Sequence, residues 1–200
     1  MSETIRIDSG RGTIEARWDD VPETAAALLL VGGADGGFDG PAEALYPTLV
    51  EDAAERGWAA LRLDFRIHRF PNDVDEGVHD MMAGIGWLGE RGVERIGLVG
   101  HSFGGAVVIR AGAMAPAVRS VVTLATQTAG ALVVEELTPT PLLLIHGADD
   151  IRLSPRCSEQ IYGLAGKPKE LVIIPGATHS LRQAREEVRR RVLEWFERTL

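Results

Sequence analysis

The sequence predicts an α/β fold: a mostly parallel, eight-stranded sheet opened by an N-terminal hairpin, with helices on both faces. Two observations predict it. Apolar runs rich in Val, Ile and Leu alternate with segments of helical periodicity almost from end to end, the pattern of parallel strands joined by helical crossovers. The chain is also 200 residues long, with 45% hydrophobic and 25% charged residues, enough for one globular domain over 1–200 with a sizeable core and too little for two.

Taken in order, strands are expected near 3–8 and 12–18, separated by DSGRG and paired as a hairpin; TIEARW shows the alternation of a half-buried strand. Further strands fall near 26–31, 58–63, 95–100, 119–124, 141–146 and 170–174, nearly continuous apolar runs suited to burial on both faces. Helices are expected near 47–56, 74–90, 103–115, 155–165 and 180–198, with a short or irregular one around 131–137. Pro47 suits a first helical position and Gly57 a C-terminal stop. Ser180 and Gln183 have the spacing of a capping box that would start the last helix just after His179. The connection from 125 to 140 is too short to hold a lid domain.

In an open parallel sheet the loops at the carboxyl ends of the strands gather along one edge. Ser102 follows the strand at 95–100, Asp149 and Asp150 follow the one at 141–146, and His179 follows the one at 170–174. Gly100, Ser102 and Gly104 spell GxSxG, the strand-turn-helix elbow whose small flanking residues let a strained backbone hold a hydroxyl outward. A Ser hydroxyl is a poor nucleophile at neutral pH and needs a base, for which His is suited; the imidazole needs an acceptor on its other nitrogen. The chain order Ser, Asp, His is the order that accompanies this elbow. The backbone N–H of Phe103, opening a helix, is placed to receive a developing oxyanion, and the glycine-rich loop VGGADGG offers Gly33 or Ala34 as the second donor.

With GHSFGG, LLLIHGADDIRLSP and LVIIPGATHSL in place, the chain resembles the α/β hydrolases, and within them the short, lidless dienelactone-hydrolase-like branch. The resemblance implies a serine esterase that cleaves a small carboxylic ester through an acyl-enzyme, with Ser102 as nucleophile, His179 as base and Asp150, the last residue of HGADD, as the acid in preference to Asp149. Acyl transfer or cofactor-free peroxide chemistry on the same three residues, and a non-catalytic hydrolase-like binding module, are the alternatives. Dienelactone hydrolases proper have Cys at the elbow; here the only Cys is the remote Cys157, so opening of a dienelactone is not implied. The first oxyanion loop begins with Val31, Gly32 and Gly33 instead of the HG frequent among such proteins.

Other features carry less. Phe38, Phe70 and Gln127 follow strands at the active edge and His101 lies inside the elbow, so these four are candidate substrate contacts. His146, at a strand end, reads as a buried, hydrogen-bonded imidazole. No metal and no cofactor are expected: His68 and His79 have no matched ligand partners, and no HExxH or CxxC spacing occurs. GGADGG with Asp64 after the next strand invites a nucleotide reading, but neither GxGxxG nor GxxxxGK[ST] fits residues 32–40. A net charge of −8 excludes the basic face that nucleic acid requires. The arginines of REEVRRR lie between apolar residues at helical spacing and form a solvated face. With no bilayer-length apolar run, no membrane association is expected, and MSETIRIDSG lacks a secretory pattern, which makes a cytoplasmic location the expectation. The expected partner is a small-molecule acyl substrate; the oligomeric state is not legible.

Overall fold

The computed structural model describes residues 2–68 and 73–200. Eight strands form one sheet in the order β1-β2-β4-β3-β5-β6-β7-β8. They are β1 (Glu3–Asp8), β2 (Thr13–Asp19), β3 (Ala26–Val31), β4 (Ala59–Asp64), β5 (Arg95–His101), β6 (Val118–Leu124), β7 (Leu142–Gly147) and β8 (Lys169–Ile174). The β1–β2 and β2–β4 pairs are antiparallel and the others parallel. The helices are α1 (Pro41–Glu55), α2 (Val74–Gly89), α3 (Phe103–Met114), α4 (Arg156–Leu164) and α5 (Arg185–Thr199), with single 3-10 turns at Val134–Leu137 and Arg182–Ala184. No lid interrupts the connection between β6 and β7.

The period of two in the strands divides the core in half. Leu29, Leu61, Leu98 and Leu144 face α2, α3 and α4, whereas Leu28, Leu30, Val99, Leu143 and Ile145 face α1 and α5. Because β4 pairs with β3 on one side and β5 pairs with β3 on the other, the connection leaving β3 runs towards β4 and the one leaving β5 runs the opposite way, towards β6. That reversal opens a crevice beyond the carboxyl ends of β3 and β5, where ligands of such sheets bind. Residues 32–40 and the β5–α3 turn meet there: the position a Cβ would occupy on Gly33 is 3.4 Å from Ser102 Cβ.

Two helix starts depart from expectation. Helix α1 begins at Pro41, not near Pro47, through a left-handed turn at Ala42, Glu43 and Ala44 (φ 55°, 55° and 65°). Regular helix follows from Leu45, so Pro47 sits in the first turn, where the N–H it lacks would have no intrahelical acceptor. The capping box at Ser180 does not form. Leu181 is fully buried and left-handed (φ 57°), and α5 starts only at Arg185, after the 3-10 turn. The side chains of the would-be box are engaged elsewhere: the Ser180 hydroxyl lies 3.4 Å from Thr178 Oγ1, and the Gln183 side chain bonds the main-chain and side-chain groups of Thr178; the Ser180 carbonyl accepts from Ala42 N–H at 2.7 Å. Among the described residues no helix is long and apolar enough to cross a membrane.

Candidate active site

The turn between β5 and α3 presents Ser102 with φ 55° and ψ −113°, a backbone state that costs a non-glycine residue of order 1–3 kcal/mol and persists only where its surroundings impose it. They do so here. The Ser102 N–H donates to Leu124 O at 2.8 Å, and Ser102 O accepts from Gly105 N–H at 3.1 Å. A Cβ on Gly100 would collide with the carbonyl of Gly104, and one on Gly104 with the carbonyl of Gly32, so the elbow closes only with glycine at both positions.

His179 lies in the turn after β8, with its side chain largely covered. Its Nε2 is 3.1 Å from Ser102 Oγ and its Nδ1 is 2.7 Å from Asp150 Oδ2. The carboxylate accepts only, so Nδ1 carries the proton and Nε2 is free to accept from the Ser102 hydroxyl. Asp150 is buried, with Oδ1 accepting from Arg152 N–H at 2.8 Å and Leu153 N–H at 2.9 Å. Burial alone would push this carboxyl up, but the Leu153 N–H, His179 and the Arg152 N–H together hold it below the usual range, so it is ionised at neutral pH. Asp149 is exposed, its N–H bonded to Ala177 O at 2.9 Å.

The imidazole has further company. His101 Nε2 meets the His179 carbonyl at 3.1 Å, and the two rings lie 4.9 Å apart. Burial pushes His101 down to about 4, so it is neutral at physiological pH and its Nε2–H donates to that carbonyl. His146 is fully buried one layer deeper, touching Asp150 Oδ2 at 3.1 Å, Leu153 O at 3.0 Å and Ser158 Oγ at 2.7 Å.

The loop over Ser102 is fixed from three sides. Tyr46, buried under Gly40, donates to Val31 O at 2.7 Å; Asp64 accepts from Gly37 N–H at 2.8 Å; Gly36 N–H donates to Gly33 O at 3.1 Å. Asp64, the residue that invited a ribose, is thus turned to the loop after β3 and to His68, 3.0 Å away. Phe103 opens α3, where first-turn N–H groups have no intrahelical acceptor, and Gly33 and Ala34 line the cleft with Ser102.

Of the four candidate substrate contacts, His101 lines this cleft. Phe38 instead lies beneath the Arg17 guanidinium, 4.6 Å from its ring centre, and the Gln127 side chain folds back to Ala129 O at 2.9 Å. Phe70 falls outside the described residues. The sequence reading missed Asp35, Pro41, Arg152 and Ser180, which line the cleft; Arg152 and Ser180 follow Asp150 and His179 closely, a proximity that could have flagged them. The cleft measures about 300 Å³, less than the groove of about 480 Å³ between α1 and α5, but that groove is walled by the ion pairs of Asp52, Arg189 and Glu186 and holds no nucleophile beside a base.

No protein-family model matches the chain. Over 46 residues, 23% of the chain, it is 48% identical to the uncharacterized protein PA2218 of Pseudomonas aeruginosa and 44% identical to the uncharacterized protein YfhR of Escherichia coli. These matches span 12% and 16% of those proteins. Among solved structures it superimposes on a dienelactone hydrolase from Anabaena variabilis with a TM-score of 0.87, at 21% identity over 100% of this chain and 98% of that one. Est1E from Butyrivibrio proteoclasticus gives 0.83 at 21% identity over 98% of each chain, and the esterase domain of a Rhodothermus marinus protein gives 0.79 at 20% over 100% and 99%. The chain therefore has the α/β-hydrolase fold, with no lid between β6 and β7.

Proposed function

We propose that the chain is a serine hydrolase that cleaves small carboxylic esters through an acyl-enzyme on Ser102. The observation that carries this reading is the hydrogen-bonded row Ser102 Oγ, His179 Nε2, His179 Nδ1, Asp150 Oδ2 at the carboxyl edge of the sheet. Ser102 Oγ attacks the ester carbonyl carbon while its proton passes to His179 Nε2, and Asp150 stabilises the imidazolium. The carbonyl oxygen takes up negative charge beside the N–H of Phe103 and that of Gly33 or Ala34. Collapse of this intermediate breaks the bond to the alcohol, which leaves with the proton from His179. Water then repeats the sequence on the acyl-enzyme, freeing the acid.

The esterase and dienelactone hydrolase names of the structural neighbours support this class, and Est1E binds ferulic acid. The cleft argues for short acyl groups: about 300 Å³ is the low end of small-molecule sites, and among the described residues its wall is glycine, Ala34, Pro41 and polar side chains without an apolar channel. Intact-protein mass after fluorophosphonate treatment, with nitrophenyl esters of graded length as substrates, tests the proposal. One adduct is expected on Ser102, absent in Ser102→Ala, with acetate and butyrate preferred to octanoate. A folded protein that takes no label would overturn it in favour of a binding module, and ester consumed only when an acceptor other than water is added would replace hydrolysis by acyl transfer.

A further inference from the structure

The mechanism above leaves unused a buried ionisable group that touches Asp150. His146 is the last residue but one of β7, has no solvent exposure, and shares Asp150 Oδ2 with His179. Its Nε2 lies between two atoms that only accept, Asp150 Oδ2 at 3.1 Å and Leu153 O at 3.0 Å, so Nε2 must carry a proton. Burial pushes the imidazole down despite Leu153 O and Asp150, so the ring is neutral and Nδ1 is an acceptor. The Ser158 hydroxyl, 2.7 Å from Nδ1 and itself fully buried on α4, therefore donates. The tautomer is fixed from both ends.

We infer that His146 is a positioning residue for the candidate reaction, its Nε2–H holding Asp150 Oδ2 in the orientation that receives His179 Nδ1. The inference rests on the proposed roles of Ser102, His179 and Asp150. Oδ1 is held by the N–H groups of Arg152 and Leu153, and Oδ2 is shared by two imidazoles, so every rotation of the carboxylate breaks a charge-assisted hydrogen bond. Without His146, Oδ2 would be held by His179 alone, and the imidazole would be oriented by a group that is itself less firmly fixed. Such a loss acts on the transition state and leaves substrate binding untouched, because His146 does not reach the cleft.

The test has two arms. In the wild-type protein, 15N spectra of labelled histidine are expected to show His146 as the neutral Nε2–H tautomer at pH 7.5–9; an Nδ1–H tautomer or a charged ring in that range overturns the inference without any activity measurement. For the second arm, His146→Leu keeps volume and removes the donor, and His146→Gln restores an amide N–H three bonds beyond Cβ, as in histidine. With nitrophenyl acetate, kcat should fall about 10- to 100-fold in His146→Leu with KM within about twofold, and His146→Gln should recover most of the loss. The downfield His179 Nδ1–H resonance should weaken in the first variant and persist in the second. Ser158→Ala, a smaller change in case His146→Leu does not fold, should lower kcat by about two- to tenfold. Equal kcat in the wild type and these variants, or a His146→Gln no better than His146→Leu, overturns the inference. If fluorophosphonate fails to label wild-type Ser102, the hydrolase reading itself falls, a separate result.

Discussion

The two edges of the sheet solve the same turning problem in different ways. At the amino edge, the turns into β4 and β5 reverse through glycines, Gly57 (φ 73°) and Gly92 (φ 83°), each with open space where a Cβ would stand. At the carboxyl edge, left-handed backbone falls both on glycines, Gly36, Gly37, Gly40, Gly130 and Gly176 among them, and on side-chain-bearing residues: Ala42, Glu43, Ala44, Ser102, Ala125 and Leu181, which are all of the described non-glycine residues with positive φ except Glu23. The glycines there answer crowding as well, since Gly100 and Gly104 face carbonyls and not solvent. The turns at Gly57 and Gly92 are relaxed and replaceable; the turn at Ser102 is strained and interlocked, on the edge that also holds Asp150 and His179. Strain survives where the surroundings over-determine it, and here the same contacts that impose it also aim the side chains.

The contrast is sharpest between adjacent residues. Asp150→Asn should lower kcat by about 10,000-fold, because the amide can donate to His179 Nδ1 and stabilise the wrong tautomer. Asp149→Asn, at an exposed position, should leave kcat within about twofold, and steady-state kinetics with nitrophenyl acetate compare the two. If Asp149→Asn were the more damaging, the geometry around Asp150 would not describe the working enzyme.

The same substitution made at each edge gives the next largest effect. Gly100→Ala drives a Cβ into main-chain atoms of Gly104 and should cost about 3 kcal/mol, with loss of fluorophosphonate labelling as the elbow opens. Gly57→Ala meets no atom within 4 Å and should cost only the left-handed penalty, about 1–2 kcal/mol, with labelling unchanged. Urea midpoints and labelling yields read both. Equal costs would mean that the carboxyl edge relaxes as easily as the amino edge.

These particulars show what the sequence made legible. Strand ends were readable because an uninterrupted apolar run has little alternative to a buried strand, and the three turns bearing Ser102, Asp150 and His179 followed from topology alone. The choice of Asp150 over Asp149 came from family resemblance; its physical basis, burial and the N–H groups of Arg152 and Leu153, exists only once the turn has folded. The capping signal at Ser180 failed because both its side chains find a partner in Thr178, while the Ser180 carbonyl is tied to Ala42, more than a hundred residues away. Phe38 and Gln127 were placed on the right edge, but the direction of a loop side chain depends on neighbours such as Arg17 that no local pattern reveals. His146 was legible as buried, not as the support of a carboxylate, since Ser158 and Leu153 fix its role from outside the strand.

The carboxyl edge should also be the pH-sensitive one. The folded His101 value, about 4, lies below the 6.5 of an unperturbed imidazole, so between these values the unfolded chain binds the proton and the native protein does not. Stability from this group is therefore complete above pH 6.5 and declines as pH falls towards 4, by up to about 1.4 kcal/mol per pH unit. Urea unfolding at pH 7 and pH 5 should show wild type losing about 2 kcal/mol more than His101→Gln, which keeps a donor for the His179 carbonyl and has no proton to gain. Parallel losses would place the titration elsewhere.

The smallest effect concerns the left-handed turn that opens α1. Among its three residues Glu43 is the exposed one, so its replacement changes backbone preference and little else. Glycine should relieve about 1–2 kcal/mol of left-handed penalty and return about 0.5–1 kcal/mol in conformational entropy, a net gain near 0.5 kcal/mol. In a chain of this length that raises Tm by about 1–2 °C, within reach of differential scanning calorimetry. Turnover should stay within about twofold, because the bond from Ala42 N–H to Ser180 O, which ties this turn to the loop of His179, does not involve the Glu43 side chain. A lower Tm would show that the turn carries no strain to relieve. A higher Tm with a large fall in turnover would show that the strain at position 43 itself sets the distance between this turn and His179.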